Sequence, residues 1–328
     1  MKKVGFMSST FALADFYCMA LPSVRGEPLQ RMPRHLYSYV WKVSWKQQLR
    51  LCLLTVFVFP LSLAPLELQR RIIDDAVKNG LTDLLITLGG LYLAVLLAHG
   101  GLKYARNVYQ NRVAEGVIRL LRRRIVHHDA FGAESDAGTK QSIIAAEAEK
   151  VGAFVGESIS FPLLQAGVVV SIAGYMLIVE PLVAAIAIAF FVPSLVIVPI
   201  IQRKVNELAE ERTTQTRELG EKLLEDENID TDRGDNLIES IYGLRLRIFY
   251  LKYFMKFLNN LIGHLGPLSV LMVGGWLVIQ GETEIGTIVA FISGYERMIN
   301  PARDLLNFYR RLSAMRVQYR LVRDAASG

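Results

Sequence analysis

Cysteine is nearly absent: Cys18 and Cys52 are the only two among 328 residues. Two thiols at unrelated positions exclude a disulfide-stapled secreted module and make no zinc site by themselves. Charge is scarce as well, at 21% Asp, Glu, Lys and Arg, against about a quarter in an ordinary soluble domain. Hydrophobic residues make up 52%, and mean hydropathy is +0.30. Such a chain is not disordered, collagen-like or of low complexity. A membrane protein, or an unusually apolar soluble fold, is what remains.

Positive charge is missing altogether from residues 51–69, 79–102, 151–202 and 257–296. All 37 Lys and Arg fall in the blocks around these gaps, so the net charge of +6 marks membrane topology and no nucleic-acid partner is expected. A helix needs ~20 mostly apolar residues to cross ~30 Å of hydrocarbon. The gaps hold 19, 24, 52 and 40 residues, fitting one, one, two and two crossings. In the longest, Ile159–Val179 and Pro181–Ile201 carry no charge, and only Glu180 separates them, which predicts a helical hairpin with almost no loop. The last gap is less even: Phe257–Gly281 is a good span, but only 11 uncharged residues run from Ile285 to Tyr295, before Glu296 and Arg297. Hydropathy alone allows five crossings. Six crossings put 34 basic residues on one face and 3 on the other, so the positive-inside bias selects six, with both termini cytoplasmic.

The expected fold is therefore an all-α, multi-pass membrane domain over residues 36–323. Its spans lie near 49–69, 84–102, 159–179, 181–201, 259–281 and 285–306, with residues 324–328 as the C-terminal end. Residues 1–35 are read as a tail. Lys2, Lys3 and the partly apolar run to Ala20 have the outline of a signal peptide, but Asp15 interrupts it. A cleaved leader would also place the basic Arg25–Arg50 stretch outside, and Met32 is an alternative start. From residue 36 to 48, Tyr37, Tyr39, Trp41 and Trp45 interleave with Lys42 and Lys46. That pattern suits an amphipathic helix lying at headgroup depth; the alternative is the plain beginning of the first span.

The outward connections are short, a dozen or so residues after the first span, Glu180, and Gly281–Glu284. The inward ones, 103–150 and 203–256, run to about 50 residues each and look helical and charged. Arg203–Glu207, Arg217–Glu221 and Glu218–Lys222 are opposite charges four apart, worth a few tenths of a kcal/mol each on a solvated helix. They predict that the fourth span continues into the cytoplasm as one rod. Each inward connection has one break, FGAESDAGTK at Phe131–Lys140 and DENIDTDRGDN at Asp226–Asn236, rich in turn and cap formers. These tips are either ordinary solvated loops or contacts for a cytoplasmic partner.

Several local motifs, in order, resemble the membrane domain of exporter-type ABC transporters. Pro65-Leu66-Glu67-Leu68-Gln69 followed by Ile72-Ile73-Asp74 and Ala76 is similar to the family's first-span pattern. Glu115 through Leu120-Leu121-Arg122-Arg123-Arg124 resembles its descending loop helix. Gly286-Thr287, Ala290-Phe291 and Pro301 resemble its final span. The likeness covers about residues 36–323. It implies that the loop tips are coupling helices seated in an ATPase, which by position makes Phe131, Gly132, Ser135, Gly138, Asp226, Asn228, Asp230, Asp232, Gly234 and Asp235 the residues that contact it. It also implies a second six-span half, as homodimer or heterodimer, and a cavity that changes the side it faces when ATP closes the ATPase domains. The setting would be the inner (plasma) membrane of a bacterium.

The departure from the family is that no G-x-x-x-x-G-K-[ST] phosphate loop and no LSGGQ-like signature occurs in the chain. No cofactor is expected on it; ATP and Mg belong on a partner ATPase, which is separate, missing beyond Gly328, or dispensable. Pro60, Pro162, Pro193, Pro199 and Pro267 fall within spans, as hinges or as prolines that membrane helices tolerate.

Ionisable residues near the spans are few: Glu67, Glu157, Glu180, His99 and His264. His127, His128 and Asp129 are neighbours that point ~100° apart on a helix, so no metal site is expected there. No catalytic constellation emerges, and no ionisable cluster facing a cavity. Three readings stand: the membrane half of an ATP-driven exporter, a proton-driven transporter on the same fold, and a multi-span enzyme or scaffold. Proton coupling needs carboxylates within the spans, and few are present. A Leu, Val, Ile and Phe lining suits lipids, peptides and amphipathic drugs equally.

Overall fold

The computed structural model describes residues 32–127, 146–225 and 231–325, and among these every regular element is helical. In chain order they are α1 (Leu36–Arg71), a π-helical turn (Ile72–Val77), α2 (Thr82–His127), α3 (Ala148–Glu157), α4 (Ser160–Val179), α5 (Pro181–Glu225), α6 (Thr231–Gln280) and α7 (Ile285–Ala325). The chain divides into two compact units, residues 1–174 with 300–328, and residues 175–299.

Among the described residues, five helical stretches are long and apolar enough to cross a membrane: Leu36–Val77, Thr82–Arg123, Ala148–Val179, Pro181–Gly220 and Gly234–Gln280. The helix beginning at Ile285 is not one of them, because Glu296 and Arg297 end its uncharged run early. Apolar side chains such as Ile86, Leu93 and Leu97 on α2 and Ile279 on α6 are exposed. A helix surrounded by lipid tails has no driving force to bury such groups.

The first unit has a core drawn from four helices. Tyr39, Val40 and Leu51 of α1 meet Tyr109, Val113, Val117 and Leu121 of α2, Val151, Phe154 and Val155 of α3, and Phe308, Tyr319 and Val322 of α7. Residue Ser44, at φ −138° and ψ 22°, breaks the helical path of α1 and divides its aromatic first turns from the part that spans. Its hydroxyl donates to the carbonyl of Val40 at 2.9 Å. Pro60 and Pro65 lie in the same helix without any such break.

In the second unit α5 and α6 pack along their lengths. Val205 and Leu208 face Leu244 and Ile248, positions three and four apart that form one stripe on each helix. Further along, Tyr295 donates to the carbonyl of Ile262 at 3.1 Å, and its ring lies where a Cβ on Gly266 would have to go. Phe191 meets that ring edge-on at 6.0 Å.

Two short turns carry the same signature. After the π-helical turn, the Gly80 amide donates to Val77 and the Leu81 amide to Ala76; after α6, Gly281 donates to Val278 and Glu282 to Leu277. These are paired Schellman bonds, and each needs a residue with positive φ; Gly80 and Gly281 supply it at 65° and 76°. The dozen-residue connection expected after the first span is thereby reduced to residues 78–81, because helical structure runs on through Val77. Arg70 and Arg71 do not end it, since both bind Glu67 one turn back, at 2.8 and 2.7 Å. Glu180 alone separates α4 from α5, as the spacing predicts.

Candidate functional site

Most of the expected coupling residues fall outside the described part of the chain. Phe131, Gly132, Ser135 and Gly138 lie within 128–145, and Asp226, Asn228 and Asp230 within 226–230, all outside the described residues. Asp232, Gly234 and Asp235 lie in the first turns of α6, so the second break is narrower than the 226–236 read from composition. Thr231 and the polar residues after it start a helix rather than prolong a turn. The described structure shows what carries the tips.

In the first unit the stem is α2 packed on α3. Gly152 and Gly156 lie one turn apart on α3 and meet α2 where a side chain would not fit. A Cβ on Gly156 would stand 2.8 Å from both the Ala114 Cβ and the Gln110 carbonyl oxygen. One on Gly152 would overlap Ile118. The spacing Gly152-x-x-x-Gly156 is a small-residue signal for close helix approach in membranes, and the sequence reading passed over it. Nearer the tip, Arg122 donates to Glu149 across the two helices at 3.1 Å, an exposed pair worth at most about 1 kcal/mol.

In the second unit the stem is α5 packed on α6. The rod expected beyond the fourth span is present, for α5 is one helix of 45 residues. Of the pairs expected along it, Glu207 is taken by Lys204 at 3.2 Å in place of Arg203. The side chains of Glu221 and Lys222 are outside the described set.

At the base of the first stem a polar network joins five helices. Arg106 of α2 is only 2% exposed. Its Nε donates to the Thr55 hydroxyl of α1 at 3.2 Å and its Nη1 to Asn107 Oδ1 at 3.0 Å. Its Nη2 has no hydrogen-bond partner among the described residues. Glu157, at the end of α3, lies within coulombic reach of Arg106 and accepts 2.7 Å from Nη1 of Arg311 on α7. The Arg311 guanidinium covers the rings of Phe161 and Phe308, at 5.2 and 5.9 Å. Gln165 of α4 donates to Asp304 of α7 at 2.8 Å. Gln48 of α1 donates to the Val155 carbonyl at 2.7 Å, which also accepts from Ser158, so a carbonyl left over at a helix end is satisfied.

The sequence singles out Glu157, and the fold brings Arg311 and Arg106 to it. Arg311 is 154 residues from Glu157 and Thr55 is 51 from Arg106, so no local spacing announces it. Charged groups this buried are costly unless paired. Here they tie the stem to the helices that continue into the bilayer. Among the described residues no group of three His, Cys, Asp or Glu could hold a metal ion.

Compared with known proteins, residues 63–246 match the family model described as the ABC transporter transmembrane region. A 48-residue stretch is 46% identical to the "Putative multidrug export ATP-binding/permease protein YgaD" of Bacillus subtilis (strain 168). That stretch is 15% of this chain and spans 8% of the length of that protein.

Proposed function

The chain belongs to the family of ABC transporter transmembrane regions, and on that premise we propose that it is the membrane-spanning half of an ATP-driven exporter. It crosses the membrane six times, the last over residues 285–306, and both termini lie in the cytoplasm at the bacterial plasma membrane. A second six-span half completes the pathway. An ATPase domain or subunit, holding ATP and Mg, seats the tips near 131–140 and 226–236 and drives alternating access.

Helix length is the observation that carries this reading. With 46, 45 and 50 residues, α2, α5 and α6 are about 69, 68 and 75 Å long at 1.5 Å per residue. Each is more than twice the ~30 Å of hydrocarbon, so each continues beyond the membrane as a stem. Both stems are packed along their length, and the first is braced by glycine contacts that leave no slack. A displacement applied at a tip is then passed to the spans rather than absorbed.

The test is co-purification with an ATPase and the effect of the tips on it. Changing Asp226, Asp230 and Asp235 together to Lys is expected to abolish capture of the ATPase or its stimulated hydrolysis, while helix content by circular dichroism stays unchanged. Transport that survives ATP depletion and collapses with a protonophore would overturn the reading in favour of proton coupling.

A further inference from the structure

An open pocket of about 410 Å³ lies where the start of α1 meets the last turns of α7, its largely apolar wall formed by Arg34, His35, Leu36, Tyr37, Arg316, Tyr319 and Arg320. All seven residues belong to the first unit. Arg316 and Arg320 are four apart on α7, so their side chains leave one face of the helix. Arg34 comes from the segment that leads into α1, and that segment is fastened to α7. The Tyr319 hydroxyl donates to the Pro33 carbonyl at 2.7 Å and Arg323 Nη1 to the Arg34 carbonyl at 3.3 Å. Beside these bonds the Tyr39 and Tyr319 rings pack at 5.4 Å. The walls are fixed by buried contacts, whereas Arg34, Arg316 and Arg320 are exposed.

None of these three arginines forms an ion pair with a carboxylate among the described residues. Like charges around one pocket repel each other, and an anion held between them removes that cost. Guanidinium forks match phosphate oxygens two at a time. His35, the residue before α1, makes no side-chain cap, so the unpaired amides of the first turn add partial positive charge at the same end.

Depth narrows the choice of anion. The turns of α1 around the Ser44 break expose Tyr37, Trp41 and Trp45, and Lys46 Nζ stands 5.5 Å from the Trp45 ring. Aromatics with lysines beside them collect at the level of lipid headgroups, and basic pockets at that level bind anionic ones. We propose that this pocket binds the phosphate of an anionic phospholipid headgroup. The inference rests on the functional reading above only for the leaflet, which is the cytoplasmic one if both termini are inside.

The full chain in neutral detergent would be titrated with phosphatidylglycerol, phosphatidylcholine or inorganic phosphate, reading retained lipid by native mass spectrometry and the thermal unfolding temperature. Phosphatidylglycerol is expected to be retained and to raise that temperature. Arg316→Gln with Arg320→Gln should weaken its binding about tenfold for each charge-assisted bond lost. Arg316→Lys with Arg320→Lys keeps the charge, loses the fork and should fall between; it carries the test if the glutamine variant fails to fold. Arg203→Gln, on α5, should change nothing. Equal retention of phosphatidylcholine, or unweakened binding in the arginine variants, overturns the proposal. Stabilisation by inorganic phosphate with no lipid retained would assign the pocket to a free phosphate and overturn the lipid assignment. None of these readouts needs an ATPase or an orientation, so the export reading and this one fail separately.

Discussion

Arg106 carries a positive charge at 2% exposure, and what surrounds it sets the cost of any change nearby. Thr55 is the acceptor for its Nε, so Thr55→Val removes a partner without changing volume much. A buried donor left unmade costs about 1–3 kcal/mol, and a fall in the thermal unfolding temperature is the check. Glu157 and Arg311 form one ion pair, yet the two ends are unequal. The Arg311 side chain is 46% exposed and that of Glu157 19%. Arg311→Gln should cost within about 1 kcal/mol, as exposed pairs do. Glu157→Gln also removes a carboxylate that acts on buried Arg106 and should cost about 1–3 kcal/mol. Unfolding temperatures that fall equally in the two variants would contradict this asymmetry. Sequence reading reached Glu157 because a lone carboxylate beside an uncharged run is conspicuous. It missed Arg106, which looked like one of nine basic residues in a cytoplasmic block.

Elements end and meet where glycine allows. Gly80 and Gly281 close two helices in the left-handed region and have open space around them, so backbone conformation alone decides what a substitution costs. Alanine at either should cost about 1–2 kcal/mol, and asparagine less, in the same unfolding measurement. Gly156 is the opposite case. Alanine is the better helix former by about 1 kcal/mol, but here its Cβ would press on the Gln110 carbonyl, which is backbone and cannot swing away. Gly156→Ala is expected to destabilise, by about 1–3 kcal/mol. An unchanged or higher unfolding temperature would show that α2 and α3 are not held this closely. The long rod of α5 was legible because its charges suit a solvated helix. The sequence set an aromatic helix at 36–48 apart from the first span near 49–69; the break in α1 falls at Ser44, and Pro60 and Pro65 make none.

For the whole molecule, charge distribution and apolar length count crossings differently. Among the described residues five stretches have the length and apolarity to span, and the sixth rests on where the basic residues lie. Single cysteines introduced on a background with Cys18→Ser and Cys52→Ser decide it. Glu282→Cys and Lys78→Cys should react with an impermeant thiol reagent from outside, and Arg320→Cys only after the membrane is opened. Labelling of Arg320→Cys in intact cells would mean five crossings. The broad exposed apolar surface of α2 and α6 fits lipid on one side and a second half on another, and crosslinking in membranes should capture a dimer. Recovery of monomers alone would argue against the twelve-span pathway.

Composition and the placing of Lys and Arg were enough to determine an all-α membrane protein with long helices beyond the bilayer. Both are properties of runs of residues, summed over whole helices, and need no knowledge of which run touches which. Motif order was enough for the family. Only the tertiary structure decided that Arg106, Glu157 and Arg311 form one network, that Gly152 and Gly156 lock the first stem, and that Arg34 joins Arg316 and Arg320 around a pocket. These depend on contacts across 34 to 289 residues of chain, and no local spacing says which distant residue a side chain will meet.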